Sequence, residues 1–585
     1  MRLSTADWVI LAAYFVITFI VAWRLRGRAQ QSLADFFVSG RGVPWWIAGT
    51  SMVATTFAAD TPLAVTGLTA HFGIAGNWLW WSMLLSGMMT VFFFARLWRR
   101  AGVLTDVELI ELRYTGRPAA FLRGFRALYL GVLMNCLIMG WVNLAMVKVL
   151  KISLGLDKFD AVLLCLVITA VYTTIGGLWG VLITDFLQFL LMMAMTIVLA
   201  VFAVGAAGGL GAIRAHLEAS EVAGAAGSGL LNFLPGVESV WMPIGVFLVY
   251  IGVNWWASWY PGAEPGGGGY IAQRIFCAKD ERHSLLATLW FNIAHYALRP
   301  WPWILVALAS VVLYPDLADR EAGYVRVMVD HLPASLRGLM LAAFLAAYMS
   351  TISTHLNWGA SYVINDFYRR FLRPDASERH HLRASQFATL LLMLVAAAVT
   401  YYLETVRGAW QLLLMIGAGT GAVYLLRWYW WRVNAWSEIS AMVAAFLTSL
   451  ALNTVHPFTG GEQVLFAKNM LATTAVVTAV WLAVTFATRP EPSGHLVSFY
   501  RRVRPAGFGW KPIAAQAPEV SVVSAGWANL RAWVLGCALV YCALFATGKL
   551  LFGFWMEGWL LLAGAVAAGS LLYLDFSRRG WETFG

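Results

Sequence analysis

The amino-acid sequence predicts an all-α polytopic membrane protein with about fifteen transmembrane helices, an external N-terminus and a cytoplasmic C-terminus. Three observations support this fold class. Of the 585 residues, 60% are hydrophobic and only 12% are charged, too few to cover the surface of a soluble domain of this length. Apolar runs of about 20 residues, long enough to cross a hydrocarbon core about 30 Å thick, recur along the chain. The basic residues are concentrated in alternate loops between these runs.

The distribution of charge over the loops determines the predicted orientation. An external N-terminus places most of the 41 Lys and Arg residues in cytoplasmic loops, as the positive-inside rule requires. The first span is followed by Arg24, Arg26 and Arg28 without a small-residue cleavage site, which indicates a retained helix rather than a signal peptide. The spans are predicted at residues 6–24, 44–69, 75–97, 121–150, 159–176, 178–205, 240–276, 284–314, 335–366, 384–403, 408–427, 437–456, 469–488, 531–549 and 557–576.

Two of the predicted spans contain breaks. Residues 44–69 include Ala58-Ala59-Asp60-Thr61-Pro62, and residues 240–276 include Tyr260-Pro261-Gly262-Ala263-Glu264-Pro265 followed by Gly266 to Gly269. Non-helical backbone at membrane depth must be buried in protein or line a cavity, where freed carbonyls can bind ions. Two interrupted helices five spans apart are typical of two inverted five-helix repeats, although a pair of proline kinks is the alternative.

Three longer stretches resemble one family. Asp35 to Ala59 reads DFFVSGRGVPWWIAGTSMVATTFAA, Thr173 to Gln188 reads TTIGGLWGVLITDFLQ, and Ala346 to Tyr368 reads AAYMSTISTHLNWGASYVINDFY. In order and spacing they are similar to the sodium:solute symporter family, which includes the sodium/sugar, sodium/proline and sodium/sialic acid carriers. The resemblance covers roughly residues 5–430. It implies a LeuT-like core of ten helices in two inverted repeats, alternating access and coupling to Na⁺.

The resemblance also implies a domain organisation, with flanking helices around the core. It is predicted as an N-terminal prefix helix in residues 1–30, the first five-helix repeat in 44–206, an external loop in 207–239, the second, inverted repeat in 240–430, two additional helices in 437–488, a cytoplasmic loop in 489–530, and two C-terminal helices with a short tail in 531–585.

A sodium site is implied by the same resemblance. Na⁺ is bound by oxygens, which a broken helix supplies as carbonyls and a facing helix as hydroxyls. The alternative for the hydroxyls is a bond to their own helix. Asp185 matches the family's Thr-Asp pair and is expected either to lie on the Na⁺ release path or to pair with a basic loop residue. The expected ligands are the carbonyls of Ala54, Phe57 and Ala347 and the hydroxyls of Ser350 and Thr351.

Three ionisable residues inside predicted spans are candidates for the solute site, because such groups are functional by default. They are Asp60, Glu264 and Arg299. Asp60 and Arg299 both fall near mid-membrane, where an ion pair between them is slightly favoured. They can instead hydrogen-bond solute hydroxyls, or Arg299 can bind a carboxylate in a bidentate manner.

The resemblance to the sugar carriers adds further solute candidates. Tyr260 matches the aromatic residue that closes the cytoplasmic side of the solute pocket, and Asn77, Trp78, Trp256 and Gln411 lie at or beside positions that line it. The sequence also departs from that pattern. The polar set of the sugar carriers is replaced by Thr61, Trp78, Ala257 and a residue near Leu298, and residues 262–269 contain a Gly-rich insertion.

The function expected from these features is Na⁺-coupled import of a small polar organic solute. A sugar or sugar derivative is favoured, with an amino acid or carboxylate as the alternative. A membrane enzyme using His283, His295 or His355 is disfavoured, because no metal or nucleophile motif is present. A transporter-like ligand sensor would need an output domain, for which the tail after residue 576 is too short. The short loops suit a bacterial inner membrane, and no nucleic-acid partner is expected, because the net charge of +11 is spread over short loops.

Overall fold

A computed structural model describes residues 4–25, 39–222, 229–236, 239, 241–520 and 526–579. Within these ranges the side chains at 19, 21–25, 40, 171–180, 220–222, 407, 411–412, 415–416 and 508 are outside the description. The described chain is helical and contains no strand, only one isolated bridge between Val43 and Ala278. The all-α prediction is therefore confirmed.

Ten helices of the described chain are long and apolar enough to cross a membrane. Their outward surfaces carry many large exposed apolar side chains, as lipid contact requires. The chain is a multi-pass membrane protein. The ten helices are Ile74–Ala101, Gly116–Leu154, Val181–Ala206, Glu281–Leu313, Leu336–Leu372, Glu378–Tyr402, Ala435–Val455, Glu462–Ala487, Gly526–Leu551 and Trp555–Arg579. Helix Thr5–Leu25 precedes them and is not counted among the ten.

The two predicted breaks are present. The first broken helix consists of Trp45–Thr56 and Asp60–Phe72, and the second of Ile244–Ala257 and Gly269–Cys277. At the first break, Phe57 leaves the helical region with φ −94° and ψ 55°. Pro62 lies in the first turn of the half-helix Asp60–Phe72. Main-chain N–H groups in a first turn have no acceptor within the helix, so the N–H that proline lacks costs no hydrogen bond there.

A third broken helix was not predicted. The span expected at 408–427 is divided into Val406–Ile416 and Gly421–Tyr429. The main chain between the two halves turns toward the second broken helix, and the N–H of Gly419 donates to the carbonyl of Ala257 at 2.9 Å. The sequence signal is weak because the interruption uses two glycines and no proline.

Helix Lys158–Ala206 is continuous over 49 residues, so the structure contradicts the predicted break between spans 159–176 and 178–205. No proline or charged turn separates these segments, and Gly176 and Gly177 weaken a helix without ending it. At 1.5 Å per residue the helix is about 73 Å long, so only part of it fits within the hydrocarbon core. The count of fifteen spans and the orientation that depends on it remain predictions.

The two predicted loops contain helices. The first has helix Leu210–Val222 and the second has helix Ser493–Val503. The second loop packs against the bundle: the Arg113 guanidinium lies 5.4 Å from the ring centre of Phe499 and 5.0 Å from that of Trp510. Other short helices are Leu109–Arg113, Gly323–His331 and Lys511–Ala514.

We expect Gly421→Ala to destabilise the protein, because a Cβ at this position would lie 1.8 Å from the carbonyl oxygen of Trp256. Overpacking of this kind costs about 1–3 kcal/mol, more than alanine gains in a helix. The melting temperature of the purified protein in detergent measures the effect. Gly494→Ala is the control, since a Cβ there meets nothing within 4 Å. Equal melting temperatures for the two variants would contradict the contact between the second and third broken helices.

Candidate functional site

A buried cavity lies where the three broken helices meet. Its volume is about 60 Å³, which is room for a few water molecules. A monosaccharide needs more space, so solute binding requires the surrounding side chains to move apart. The polar lining consists of Thr55, Thr56, Asp60, Thr61, His295, Arg299, Thr351 and His355. The aromatic lining consists of Trp80, Trp141, Tyr260, Tyr270 and Trp410.

Arg299 lies in this cavity as predicted, but its predicted ion pair with Asp60 is not formed in the described chain. The guanidinium instead donates to the carbonyls of His295 at 3.2 Å and Val53 at 3.3 Å. It also contacts the His295 ring, and the ring centre of Trp303 is 5.1 Å away. The guanidinium is therefore in contact with main-chain carbonyls and an aromatic ring, while the carboxylate of Asp60 acts on it from beyond ion-pair distance.

The local backbone explains why Arg299 turns this way. It follows the π-helical segment Ala294–Leu298, and its N–H donates to the carbonyl of Ala294 at 3.2 Å. A π-helical turn shifts the positions that follow it around the helix axis, and such turns are frequent at functional sites. His295 and Arg299 thereby face the same cavity.

Asp60 occupies the other side of the cavity, as the first residue of helix Asp60–Phe72. A helix N-terminus favours a negative charge, which explains how the carboxylate is accommodated without an arginine partner. Thr61 lies beside it, and its hydroxyl donates to the carbonyl of Thr56 at 3.1 Å. Both residues were predicted to face the solute, and both line the cavity.

Tyr260 and Trp410 form one wall, with ring centres 6.1 Å apart in an edge-to-face arrangement. Tyr260 comes from the break of the second broken helix and Trp410 from the third. The indole N–H of Trp410 is directed at the carboxylate of Asp60, and both side chains line the cavity.

Three predicted solute residues lie away from the cavity. The amide of Asn77 binds the Thr69 hydroxyl and the Ile74 carbonyl, both at 3.1 Å. The indole of Trp78 donates to the carbonyl of Phe233 at 2.8 Å. Trp256 donates to its own helix and does not line the cavity. The short 3₁₀ turn Ile74–Asn77 precedes Trp78 and directs that side chain away, so these solute contacts are not supported.

Glu264 and Gln411 were also predicted for the solute site. Glu264 is buried near the second break but does not line the cavity. The side chain of Gln411 is outside the described part of the chain. Its neighbour Trp410 is the residue of this helix that lines the cavity.

Sequence reasoning missed several cavity residues. Trp80 is two positions beyond the predicted Trp78, with its ring 5.6 Å from that of His295. His355 lies four positions after Thr351, one helical turn along the same face, and its ring binds the amide oxygen of Asn135 at 2.7 Å. Helical spacing from the sodium-site hydroxyls could have identified His355. The other polar and aromatic lining residues that were predicted for neither the solute site nor the sodium site are Thr55, Thr56, Trp141, Tyr270, His295 and Trp410.

Thr351, one of the predicted sodium ligands, lies beside the first break. The hydroxyl of Thr351 donates to the carbonyl of Thr55 at 2.8 Å and to that of Ala347 at 3.1 Å. The carbonyl of Ala54 accepts from the N–H of Phe57 at 3.0 Å. The hydroxyl of Thr351 thus bonds both to its own helix and across to the break, whereas the hydroxyl of Ser350 donates to Asp185.

Asp185 lies in a fully buried network on the other side of Ser350. It accepts hydrogen bonds from Ser350 at 2.6 Å and from Ser51 at 2.5 Å. Arg274 approaches its carboxylate to 3.8 Å and donates to Ser51 at 3.2 Å. The basic partner of Asp185 is therefore a residue of the second broken helix, where a loop residue was expected.

Comparison with known proteins identifies the family. The sequence profile of the sodium:solute symporter family matches residues 36–445. The chain belongs to this family. It is 25% identical over 520 residues to a sodium/glucose cotransporter of Vibrio parahaemolyticus, covering 84% of this chain and 93% of the relative. It is 26% identical over 494 residues to a sodium/mannose cotransporter of Bos taurus, covering 78% and 80%.

The fold agrees with the family. The structure of a Na⁺-coupled sialic acid symporter, in a substrate-bound outward-open state, matches 84% of this chain and 99% of that chain with a TM-score of 0.67 at 17% identity. This match confirms the LeuT-like fold. The protein is a Na⁺-coupled solute symporter and not an enzyme. In the described chain no group of three or more His, Cys, Asp and Glu side chains is arranged to hold a metal ion.

Proposed function

We propose that this symporter imports a sugar or sugar derivative with Na⁺ by alternating access, across a bacterial inner membrane. The aromatic wall of the cavity carries the proposal, since flat rings stack on the C–H faces of sugars. The curated relatives named above are sodium/glucose and sodium/mannose cotransporters, which favours the same solute class.

Each wall of the cavity has a proposed role. Tyr260 and Trp410 stack on the solute and separate to admit it, because they belong to two different broken helices. Asp60 and Thr61 accept hydrogen bonds from solute hydroxyls, and Arg299 donates to solute oxygens. These roles use groups that line the cavity and have unfilled hydrogen-bonding capacity.

Na⁺ is proposed to bind beside this cavity, between the first break and helix Leu336–Ser361. Thr351 lines the solute cavity as well, so ion and solute are coupled through one side chain. Asp185 is proposed to lie on the release path of the ion. The proposed ligands are the carbonyls of Ala54, Phe57 and Ala347 and the hydroxyls of Ser350 and Thr351. The two repeats are proposed to occupy residues 44–206 and 240–430.

A second candidate solute is an amino acid or another carboxylate. Its support is the charge of Arg299, which is buried, faces the cavity and forms no ion pair in the described chain. A carboxylate would neutralise that charge through two parallel hydrogen bonds.

A thermal-shift screen separates these candidates. Sugars, sugar acids, amino acids and small carboxylates are added to the purified protein with and without Na⁺. A ligand of the folded state raises the melting temperature by mass action, and coupling makes that rise depend on Na⁺. We expect sugars to give the Na⁺-dependent rise. A rise confined to amino acids or simple carboxylates would replace the sugar proposal by the second candidate.

Arg299→Gln tests how the solute is held. For a neutral sugar we expect an affinity loss of about tenfold, the value of one ordinary hydrogen bond. For a carboxylate solute the loss reaches about 100-fold, because a charge-assisted pair is removed. Arg320→Gln is the control, since Arg320 also donates to main-chain carbonyls but lies outside the cavity. Unchanged affinity in Arg299→Gln would remove this residue from the solute site.

A further inference from the structure

Glu264 lies in the interruption of the second broken helix and has no role in the site described above. Its side chain is 3% exposed. Its carboxylate accepts no hydrogen bond from a side chain of the described residues, and the only donors directed at it are the main-chain N–H groups of Gly262 and Glu264. An ionised carboxylate without a cation beside it is strongly unfavourable in a buried position, so this side chain needs a ligand that neutralises it.

The main chain holds Glu264 at the start of the half-helix Gly269–Cys277. The N–H of Gly267 donates to the carbonyl of Glu264 at 2.8 Å. A Cβ at Gly269 would lie 2.5 Å from Oε1 of Glu264, and φ at this glycine is +55°. Only glycine allows so close an approach in this conformation. The Gly-rich insertion is therefore shaped around the carboxylate.

A second carboxylate lies on the other side of the same glycines. Asp106 accepts a hydrogen bond from the N–H of Gly269 at 3.1 Å and another from the hydroxyl of Tyr362. A Cβ at Gly268 would lie 3.2 Å from Oδ2 of Asp106 and 3.4 Å from Cβ of Glu264. Two carboxylates this close disfavour the state in which both are ionised.

No basic side chain of the described residues forms an ion pair with the carboxylate of Glu264 or of Asp106. The charge of Arg126 acts on Asp106 from a distance, while its guanidinium forms an ion pair with Glu438 at 2.9 Å. The titratable or charged groups that face the segment or pack on the residues lining it are Asp106, Tyr270, His355, Tyr362, Tyr424, Arg126 and Arg427, the last over the rings of Trp98, Tyr424 and Trp428.

We infer that Glu264 is a proton-binding site of this symporter. Glu264 holds one proton on its carboxylate in this conformation, while Asp106 beside it accepts hydrogen bonds from the main chain and from Tyr362. A proton needs only one free carboxylate oxygen. A metal cation needs about six oxygens, and the side chain of Glu264 supplies only two.

The position of Glu264 links this proton to the transport cycle. The half-helix that begins at Gly269 also carries Arg274, which approaches Asp185 to 3.8 Å and donates to Thr354 at 2.6 Å. Movement of the half-helix away from Asp185 opens the Gly-rich segment to water and lets the proton leave. With the predicted orientation this release is cytoplasmic. The link to transport rests on the symport activity, whereas the proton site does not.

The melting temperature between about pH 6 and pH 9, in choline chloride without Na⁺ or solute, tests the site. A free Glu loses its proton near pH 4.3, so a proton retained in the fold stabilises less as the pH rises. We expect the wild-type melting temperature to fall with pH and the fall to be shallower in Glu264→Gln, a neutral isostere. Glu404→Gln, at an exposed position, should keep the wild-type slope.

Three results would overturn the inference. The first is parallel pH slopes for the wild type and Glu264→Gln. The second is a rise in wild-type melting temperature on adding Na⁺ at about pH 9 that the variant lacks, because it would identify a bound cation. The third is a failure to fold of both Glu264→Gln and Glu264→Met, since an ionised side chain would then be required. No solute is used, so failure of the solute proposal leaves this test unaffected.

Discussion

Replacing Ser350 and Thr351 together by alanine is expected to abolish activation of transport by Na⁺ at concentrations that saturate the wild type. The change removes the two hydroxyls proposed to bind Na⁺. It also leaves the main-chain carbonyls of Thr55 and Ala347 without the hydrogen bond that Thr351 donates to each. Each lost charge–dipole ligand weakens cation binding by about 1.5–3 kcal/mol, so two ligands correspond to a loss of 100-fold or more in affinity. Solute uptake into proteoliposomes as a function of Na⁺ concentration measures the effect.

Ser361→Ala is the matched control for the double variant. Ser361 lies on the same helix and is equally buried, and its hydroxyl donates only to the carbonyl of Trp358 at 2.6 Å. We expect this variant to keep the wild-type dependence on Na⁺. If the double variant keeps it as well, the sodium site lies elsewhere in the molecule.

The second large effect is expected at the buried pair of Asp185 and Arg274. Asp185→Asn leaves the Arg274 guanidinium, which is fully buried, without a negative partner. Breaking a buried ion pair by removing one partner costs about 3–5 kcal/mol. We therefore expect a large fall in the melting temperature of the purified protein. The double variant Asp185→Asn with Arg274→Gln should recover part of this loss, because it removes the uncompensated charge.

A double-mutant cycle measures the interaction between Asp185 and Arg274 by comparing the loss of stability in the double variant with the sum of the losses in the two single variants. The control is Glu218→Gln, which removes one partner of the exposed pair between Arg214 and Glu218. Its melting temperature should stay close to that of the wild type, because exposed pairs contribute little. Additive losses in the cycle would show that Arg274 and Asp185 do not interact.

The contact between the first break and the helix that carries Ser350 and Thr351 could be predicted from sequence, whereas the sodium ligands themselves stay a prediction. A short motif places Ser350 and Thr351 one after the other on a helix, and the first break follows from a proline beside Asp60. The structure brings these two segments together at Thr351 and Thr55. The partner of Asp185 could not be predicted, because Arg274 is distant in sequence and the contact depends on how the half-helices pack.

The solute residues were harder to predict because they depend on the rotation of each helix. Trp78 directly follows a short turn and binds Phe233 away from the cavity, whereas Trp80, two positions later, lines it. Arg299 follows a π-helical turn and binds His295 and Val53 in place of Asp60. The turn before Trp78 contains neither a proline nor a charge, whereas the π-helical turn is followed directly by Arg299 and Pro300.

The hydrogen bond from Gly419 to Ala257 joins the third broken helix to the second through main-chain atoms alone. Side-chain substitution leaves such a bond in place, unless proline is introduced at the donor position. A lineage that exchanges the residues of the cavity for a new solute therefore inherits the joint between these helices unchanged. In this protein, selectivity and the mechanical coupling of the two helices can evolve separately.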